Sequence, residues 1–70
     1  MKNNRIPRNF SGMFIEKLAD SSAGNKGDTF YIFKNDYNEY IGINERTGKS
    51  YCFLVAHLRN PSYTKILRYC

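Results

Sequence analysis

The side chains best suited to nucleophilic or metal chemistry are few in this sequence. His57 is the only histidine, and Cys52 and Cys70 are the only cysteines. A structural zinc site needs four ligands at recognisable spacing, and a catalytic nucleophile needs a base within hydrogen-bond distance and a third group that orients the base. Neither pattern is present, and His57 lies in the apolar run 52–58, which is typical of a structural histidine. The sequence therefore predicts a protein that is not an enzyme and that uses no metal or cofactor.

The segment Gly48-Lys49-Ser50 has the last three residues of a phosphate-binding P-loop. In that motif four residues separate the two glycines, whereas five separate Gly42 from Gly48. The residues after Ser50 also favour a strand, while a P-loop is followed by the N-terminus of a helix. Nucleotide binding is therefore not predicted.

Charged residues are distributed unevenly along the 70 residues, whose formal net charge is +5. Residues 1–9 and 46–70 contain bases but no acids, and all six acids lie between residues 10 and 45. Aromatic residues are interleaved with the bases of the C-terminal third. This combination is typical of nucleic-acid-binding surfaces, because phosphates exchange bound counterions for Lys and Arg while exposed rings stack on bases. The alternative is a solvated basic surface that only keeps a small protein soluble.

The leading functional prediction is a non-enzymatic binding protein that engages nucleic acid or a nucleoprotein complex through a basic, tyrosine-bearing surface. Tyr63 and Tyr69 would stack on bases, and the arginines and lysines would contact phosphates. The residues predicted for this surface are Arg5, Arg8, Arg46, Lys49, Arg59, Tyr63, Lys65, Arg68 and Tyr69.

The alternative prediction is an inhibitor of the kind found in phages and mobile elements, which binds a host nucleic-acid-processing protein and occupies its surface. In this case the acidic middle of the chain would mimic phosphates, and tyrosines would supply rigid contact area. The residues predicted for this role are Asp28, Asp36, Tyr37, Glu39, Tyr40 and Glu45.

Residue spacing predicts an α+β fold in the order αβββα, with a three-stranded antiparallel sheet. Apolar residues at i, i+3, i+4 and i+8 predict a helix over residues 9–20. Segments 29–34, 39–44 and 50–58 are rich in β-branched and aromatic residues and are separated by turn residues, which predicts three strands. Asn60-Pro61 is a favourable helix start, so residues 61–70 are predicted as the second helix. A fourth strand in this last segment, giving αββββ, is the alternative.

The predicted domain organisation is a flexible basic arm over residues 1–9 and a single compact domain over residues 10–70. No apolar run approaches the roughly 20 residues that span a bilayer, and residues 1–9 lack the apolar stretch of a secretion signal. A cytoplasmic protein without a membrane partner is therefore expected. A homodimer through tyrosine-rich strand edges is compatible with so small a core.

Overall fold

Five strands form one antiparallel sheet in the computed structural model, which describes residues 4–70. The strands are β1 (Met13–Lys17), β2 (Thr29–Lys34), β3 (Tyr40–Asn44), β4 (Ser50–Phe53) and β5 (Thr64–Tyr69), and one short helix, α1 (Val55–Arg59), lies between β4 and β5. The order across the sheet is β4-β3-β2-β1-β5. The chain therefore runs as a meander from β1 to β4, and β5 then pairs with the other side of β1. As a result, β4 and β5 are the two edge strands.

The hydrophobic core lies on one face of the sheet, called here the inner face. Met13 and Ile15 of β1 lie opposite Ile32 and Phe30 of β2, and all four side chains are buried together with Leu58 of α1. Fully burying an apolar side chain of this size contributes about 1.5–3 kcal/mol. The partly buried residues that pack against this core include Ile6 and Phe10 of the N-terminal segment and Tyr40, Tyr51, Phe53 and Ile66 of the neighbouring strands. The inner face is thus covered by α1 and by the N-terminal segment.

Local turn chemistry fixes the two hairpins of the meander. In the β2–β3 turn, the Asn35 side-chain oxygen accepts hydrogen bonds from the backbone N–H groups of Tyr37 (2.9 Å) and Glu39 (3.0 Å). Asn38 adopts a φ of 61°, which asparagine tolerates better than most residues. In the β3–β4 turn, Gly48 has a φ of 77°, where a side chain would be strained. The turns predicted from these residues are confirmed.

The helix predicted over residues 9–20 is wrong, because residues 13–17 form β1. Met13 and Ile15 alternate with Phe14 and Glu16, and this period of two puts the first pair into the core. β1 is also hydrogen-bonded on both sides, to β2 and to β5. These two hydrogen-bond ladders and the burial of Met13 and Ile15 outweigh the helical spacing. Phe10, the first residue of that spacing, lies in the N-terminal segment before β1.

The predicted structure of the C-terminal third is also wrong. Strand β4 ends at Phe53, and residues 55–59 form α1 instead of continuing the strand to Leu58. The Asn60 carbonyl accepts bonds from the N–H groups of Tyr63 and Thr64, both at 3.0 Å, and so closes a turn. Residues 64–69 then form β5, because the open side of β1 supplies hydrogen-bond partners for a strand. The three-stranded αβββα order is therefore incorrect. The αββββ alternative correctly placed a strand in the last segment, but it is incorrect as a whole because it keeps the N-terminal helix.

The predicted arm over residues 1–9 begins outside the described residues. Its described part is bonded to the rest of the domain at Asn4, whose side chain donates to the carbonyls of Leu58 (3.1 Å) and Thr64 (2.9 Å). The Asn4 backbone N–H donates to the Arg59 carbonyl at 2.8 Å. Flexibility of the arm stays a prediction. Among residues 4–70, no helix has the length and apolar character needed to cross a bilayer.

Candidate functional site on the outer face of the sheet

The face opposite the core, called here the outer face, carries a row of side chains in register across all five strands. From the β5 edge to the β4 edge the row is Arg68, Phe14, Tyr31, Ile43 and Ser50. A second, shorter row consists of Phe33, Ile41 and Cys52. None of these eight side chains is buried. The outer face is therefore an accessible and largely apolar surface.

Three aromatic rings, Phe14, Tyr31 and Phe33, are contiguous on this face and are called here the ring row. The Phe14 and Tyr31 centroids are 5.2 Å apart with planes at 54°, and the Tyr31 and Phe33 centroids are 6.0 Å apart with planes at 28°. Both separations lie in the range in which aromatic pairs attract each other. Because the rings stand on adjacent central strands, the sheet holds them in a fixed arrangement.

Arg68 covers one end of the ring row. Its guanidinium carbon lies 4.4 Å from the Phe14 centroid, which is a cation–π contact. Arg68 is nevertheless an exposed residue. The contact places the guanidinium over the Phe14 ring at the β5 edge of the sheet.

A β-bulge in β5 is what brings Arg68 to the outer face. Arg68 pairs with Phe14, but Ile66 pairs with the next residue, Ile15, so that Leu67 is an extra residue on β5. In a regular strand Leu67 would lie opposite Phe14, and Arg68 would point to the inner face. The bulge thus places a cation where regular pairing would place a leucine, an effect typical of bulges near functional sites.

Two further charged residues lie on the outer face next to this end of the sheet. Lys65 of β5 is exposed and pairs in register with Glu16 of β1. Within residues 4–70 the only ion pair is between Arg46 and Asp28. Neither Arg68 nor Lys65 therefore forms an ion pair within the described residues, although Glu16 lies directly across the strand pair from Lys65.

Arg46, predicted to bind phosphate, is instead bound to Asp28. Its Nε donates to Oδ1 and its Nη2 to Oδ2, both at 2.9 Å, and Asn44 Nδ2 donates to the same carboxylate at 3.1 Å. The guanidinium, together with the Asn25 N–H and the Asn44 amide, holds the pKa of Asp28 well below its ordinary value. This pair links the β1–β2 loop to the β3–β4 turn, and both side chains are occupied in that link.

The two tyrosines predicted to stack on bases lie outside the ring row. Tyr63 precedes β5 and packs edge-on against His57, with ring centroids 5.5 Å apart. Tyr69 pairs with Met13 on the inner side of β5, and its hydroxyl donates a hydrogen bond to the Arg5 carbonyl. Burial raises the pKa of Tyr69 above its ordinary value, which already keeps the hydroxyl protonated at neutral pH.

The other predicted cations are distributed around the domain. Arg8 is exposed in the N-terminal segment, and Lys49 is exposed in the β3–β4 turn. Arg5 and Arg59 line a common cavity. Of the nine residues predicted for the basic surface, only Lys65 and Arg68 lie on the outer face with the ring row.

The residues predicted for the inhibitor alternative do not form one surface. Asp36, Tyr37 and Glu39 lie in the β2–β3 turn, where Tyr37 is 83% exposed. Glu45 lies in the β3–β4 turn at the opposite end of β3. The ring of Tyr40 stacks on Phe10 on the inner face, with centroids 6.0 Å apart. Asp28, as described above, is paired with Arg46.

His57, the imidazole considered for chemistry, lines a groove of about 410 Å³ between the β1–β2 loop and α1, together with Lys17, Leu54 and Tyr63. Its described contact is the edge-on packing against Tyr63. In the part of the chain that the structure describes, no three His, Cys, Asp or Glu side chains are grouped closely enough to hold a metal ion.

Sequence reasoning missed the ring row, although one signal for part of it was present. The alternation in residues 29–34 separates Tyr31 and Phe33 from the buried Phe30 and Ile32. Phe14 could not be assigned to the same face while residues 9–20 were predicted as a helix.

Comparison with protein-family models, with curated proteins and with solved structures finds no significant match to this chain.

Proposed function

We propose that the protein binds single-stranded nucleic acid on the outer face of its sheet. The observation that carries this proposal is the ring row with Arg68 over its end. The three rings lie side by side on the sheet and none of them is buried, so bases can stack on the ring surface they expose, and each stacked base contributes about 1–3 kcal/mol. Stacking of this kind is tolerant of sequence, because every base has a π-face.

Arg68 has two roles in this proposal. Its planar guanidinium lies over the Phe14 ring and offers a base its own outer surface in place of that ring face, since bases stack on guanidinium planes as well as on rings. Its N–H donors are also available to a phosphate at the β5 edge, where the neighbouring Lys65 adds a second positive charge. The net charge of +5 favours encounter with any polyanion.

Single strands are favoured over duplexes because the rings of the outer face contact the flat surfaces of bases. A duplex buries those surfaces in its own stack, whereas an unpaired strand can turn its bases outward onto aromatic side chains. The proposal keeps Lys65 and Arg68 from the sequence prediction and replaces Tyr63 and Tyr69 by the ring row.

The prediction of an inhibitor stays a hypothesis without a supporting observation, because the acidic residues Asp36, Glu39 and Glu45 lie in turns at opposite ends of β3. A protein partner is therefore treated as one outcome of the experiment below. Capture of a protein by the outer face in the absence of nucleic-acid binding would favour it.

Fluorescence anisotropy with labelled single-stranded oligonucleotides tests the proposal. Tyr31→Leu removes the central ring but keeps apolar bulk, and we expect it to lose about 1–3 kcal/mol, or about 5- to 150-fold in Kd. Tyr37→Leu is the matched control, because it makes the same change at an exposed tyrosine of the β2–β3 turn. We expect Tyr37→Leu to bind like the wild type.

The salt dependence tests the role of Arg68. We expect Arg68→Gln to reduce the slope of log K against log salt concentration by about 0.7, the value for one phosphate contact on a single strand. Lys26→Gln, in the β1–β2 loop, removes the same charge and serves as control. Absence of oligonucleotide binding at low ionic strength, tighter binding to duplex, or equal effects of Tyr31→Leu and Tyr37→Leu would each refute the proposal.

A further inference from the structure

Arg5 and Arg59, distant in sequence, meet at one cavity beside the β5 edge. The cavity has a volume of about 440 Å³ and is lined by Asn4, Arg5, Ile6, Pro7 and Arg59. The hydrogen bond from the Asn4 N–H to the Arg59 carbonyl, at 2.8 Å, holds the N-terminal segment against the end of α1. The backbone thus fixes both arginine-bearing segments at the same opening.

The lining of this cavity carries two positive charges and no negative one. Both arginines are exposed, and within residues 4–70 neither takes part in an ion pair. Two arginines at one cavity attract an anion, and their forked guanidinium donors match the oxygens of a phosphate. We propose that this cavity binds a phosphate group.

The position of the cavity relative to β5 indicates where that phosphate comes from. Arg68 points to the outer face, while the hydroxyl of the next residue, Tyr69, donates to the Arg5 carbonyl. The ring row and the cavity therefore lie on either side of the free edge of β5. A single strand that stacks on the ring row can cross this edge and place a backbone phosphate between Arg5 and Arg59. This origin rests on the proposed function, whereas the phosphate site itself can also take free phosphate.

Titration with inorganic phosphate, followed by NMR of the arginine Nε–Hε signals, tests the site directly. We expect the Arg5 and Arg59 signals to shift to saturation with phosphate and not with chloride at matched ionic strength. Arg59→Gln should abolish the saturable shift of Arg5. Arg8→Gln is the matched control, because Arg8 lies in the same segment outside the cavity lining, and it should leave both shifts unchanged. Shifts that do not saturate, or that appear equally at Arg8, would overturn the site.

An oligonucleotide length series tests the link to the ring row. A trinucleotide covers the ring row alone, and a decanucleotide also reaches the cavity. In the double variant Arg5→Gln/Arg59→Gln, we expect the salt slope of the decanucleotide to fall by about 0.7, which corresponds to the one phosphate held between the two arginines. Trinucleotide binding should be unchanged.

The possible failures are distinguishable. If both oligonucleotides bind the wild type and the double variant identically, the strand does not reach the cavity while the proposed function stands, and the phosphate titration alone decides whether the cavity is a phosphate site. If phosphate saturates the two arginines but neither oligonucleotide binds, the proposed function is wrong and free phosphate is the ligand of the cavity.

Discussion

Gly12 gives a sensitive test of how the central ring of the ring row is held. An ideal Cβ added at Gly12 would overlap the outer end of the Tyr31 ring, with Cε1 only 2.6 Å away. Carbon atoms in favourable contact are about 3.5–4.0 Å apart, so the ring would have to move by about 1 Å. Gly12 does not have a positive φ, so its backbone conformation accepts alanine.

The size and sign of the Gly12→Ala effect follow from what Tyr31 contacts. Its ring packs between Phe14 and Phe33, and each such aromatic pair is worth about 0.5–1.5 kcal/mol. Displacing the ring weakens both pairs. Replacing glycine by alanine acts in the opposite direction and stabilises the fold by about 0.4–1 kcal/mol, because it lowers the conformational entropy of the unfolded chain. We therefore expect a net destabilisation of about 0.5–2 kcal/mol. In the Tyr31→Leu background, which lacks the overlapping ring atoms, the same change should stabilise by about 0.4–1 kcal/mol.

A double-mutant cycle measures this reversal of sign. Urea unfolding followed by circular dichroism gives the free energy of unfolding of the wild type, Gly12→Ala, Tyr31→Leu and the double variant. In parallel, Gly12→Ala should weaken oligonucleotide binding although every ring is still present. If Gly12→Ala has the same effect on stability in both backgrounds, Tyr31 is not held against Gly12, and the fixed geometry of the ring row is refuted.

Three further predictions concern the parts of the fold that support the site. The pKa of Asp28 is lowered from its ordinary value of 3.8 by Arg46 and its other donors, so its stabilising effect is complete above that value and is lost as the pH falls below it. The difference in Tm between wild type and Asp28→Asn should therefore be largest near neutral pH and shrink in acid, and a difference independent of pH would contradict this account. Leu58→Ala removes the one buried side chain of α1, and denaturant unfolding should show a loss of about 2–5 kcal/mol, whereas a loss below about 1 kcal/mol would show that α1 does not close the core. Gly48→Ala should destabilise the β3–β4 turn by about 1–2 kcal/mol because of its positive φ, and Gly48→Asn by less; equal effects in thermal unfolding would point to a cause other than φ.

The strand segments that carry their own local signal could be predicted from the sequence. The strand over residues 29–34 is confirmed as β2, and the predicted strand over residues 39–44 contains β3. In both cases aromatic and β-branched residues are bounded by a turn whose asparagines and glycine match the observed backbone. In these two segments the composition and the turn favour the same structure, and the tertiary contacts agree with that local preference.

The segments at both ends of the sheet could not be predicted, because their structure depends on a distant partner. The spacing of apolar residues in 13–17 is compatible with a helix or a strand. Pairing with β2 and β5 favours the strand. Residues 64–69 are likewise ambiguous until β1 offers an open side. Asn60 illustrates the local ambiguity, because its side chain accepts a bond from the Ser62 N–H at 2.9 Å, as in a helix cap, but the chain then turns into β5.

The candidate site depends on pairing in the same way, and two arginines make this clear. Arg46 and Arg68 both lie in the acid-free C-terminal third, and the sequence ranks them equally as phosphate ligands. Arg46 is bound to Asp28 of the β1–β2 loop, whereas Arg68 lies over Phe14 of β1 with its donors exposed. The difference for Arg68 comes from one extra residue in β5, since without the bulge at Leu67 the outer face would present leucine at this position. The charge pattern of a sequence can therefore indicate that a basic surface exists, but which bases adjoin the ring row is set by strand register.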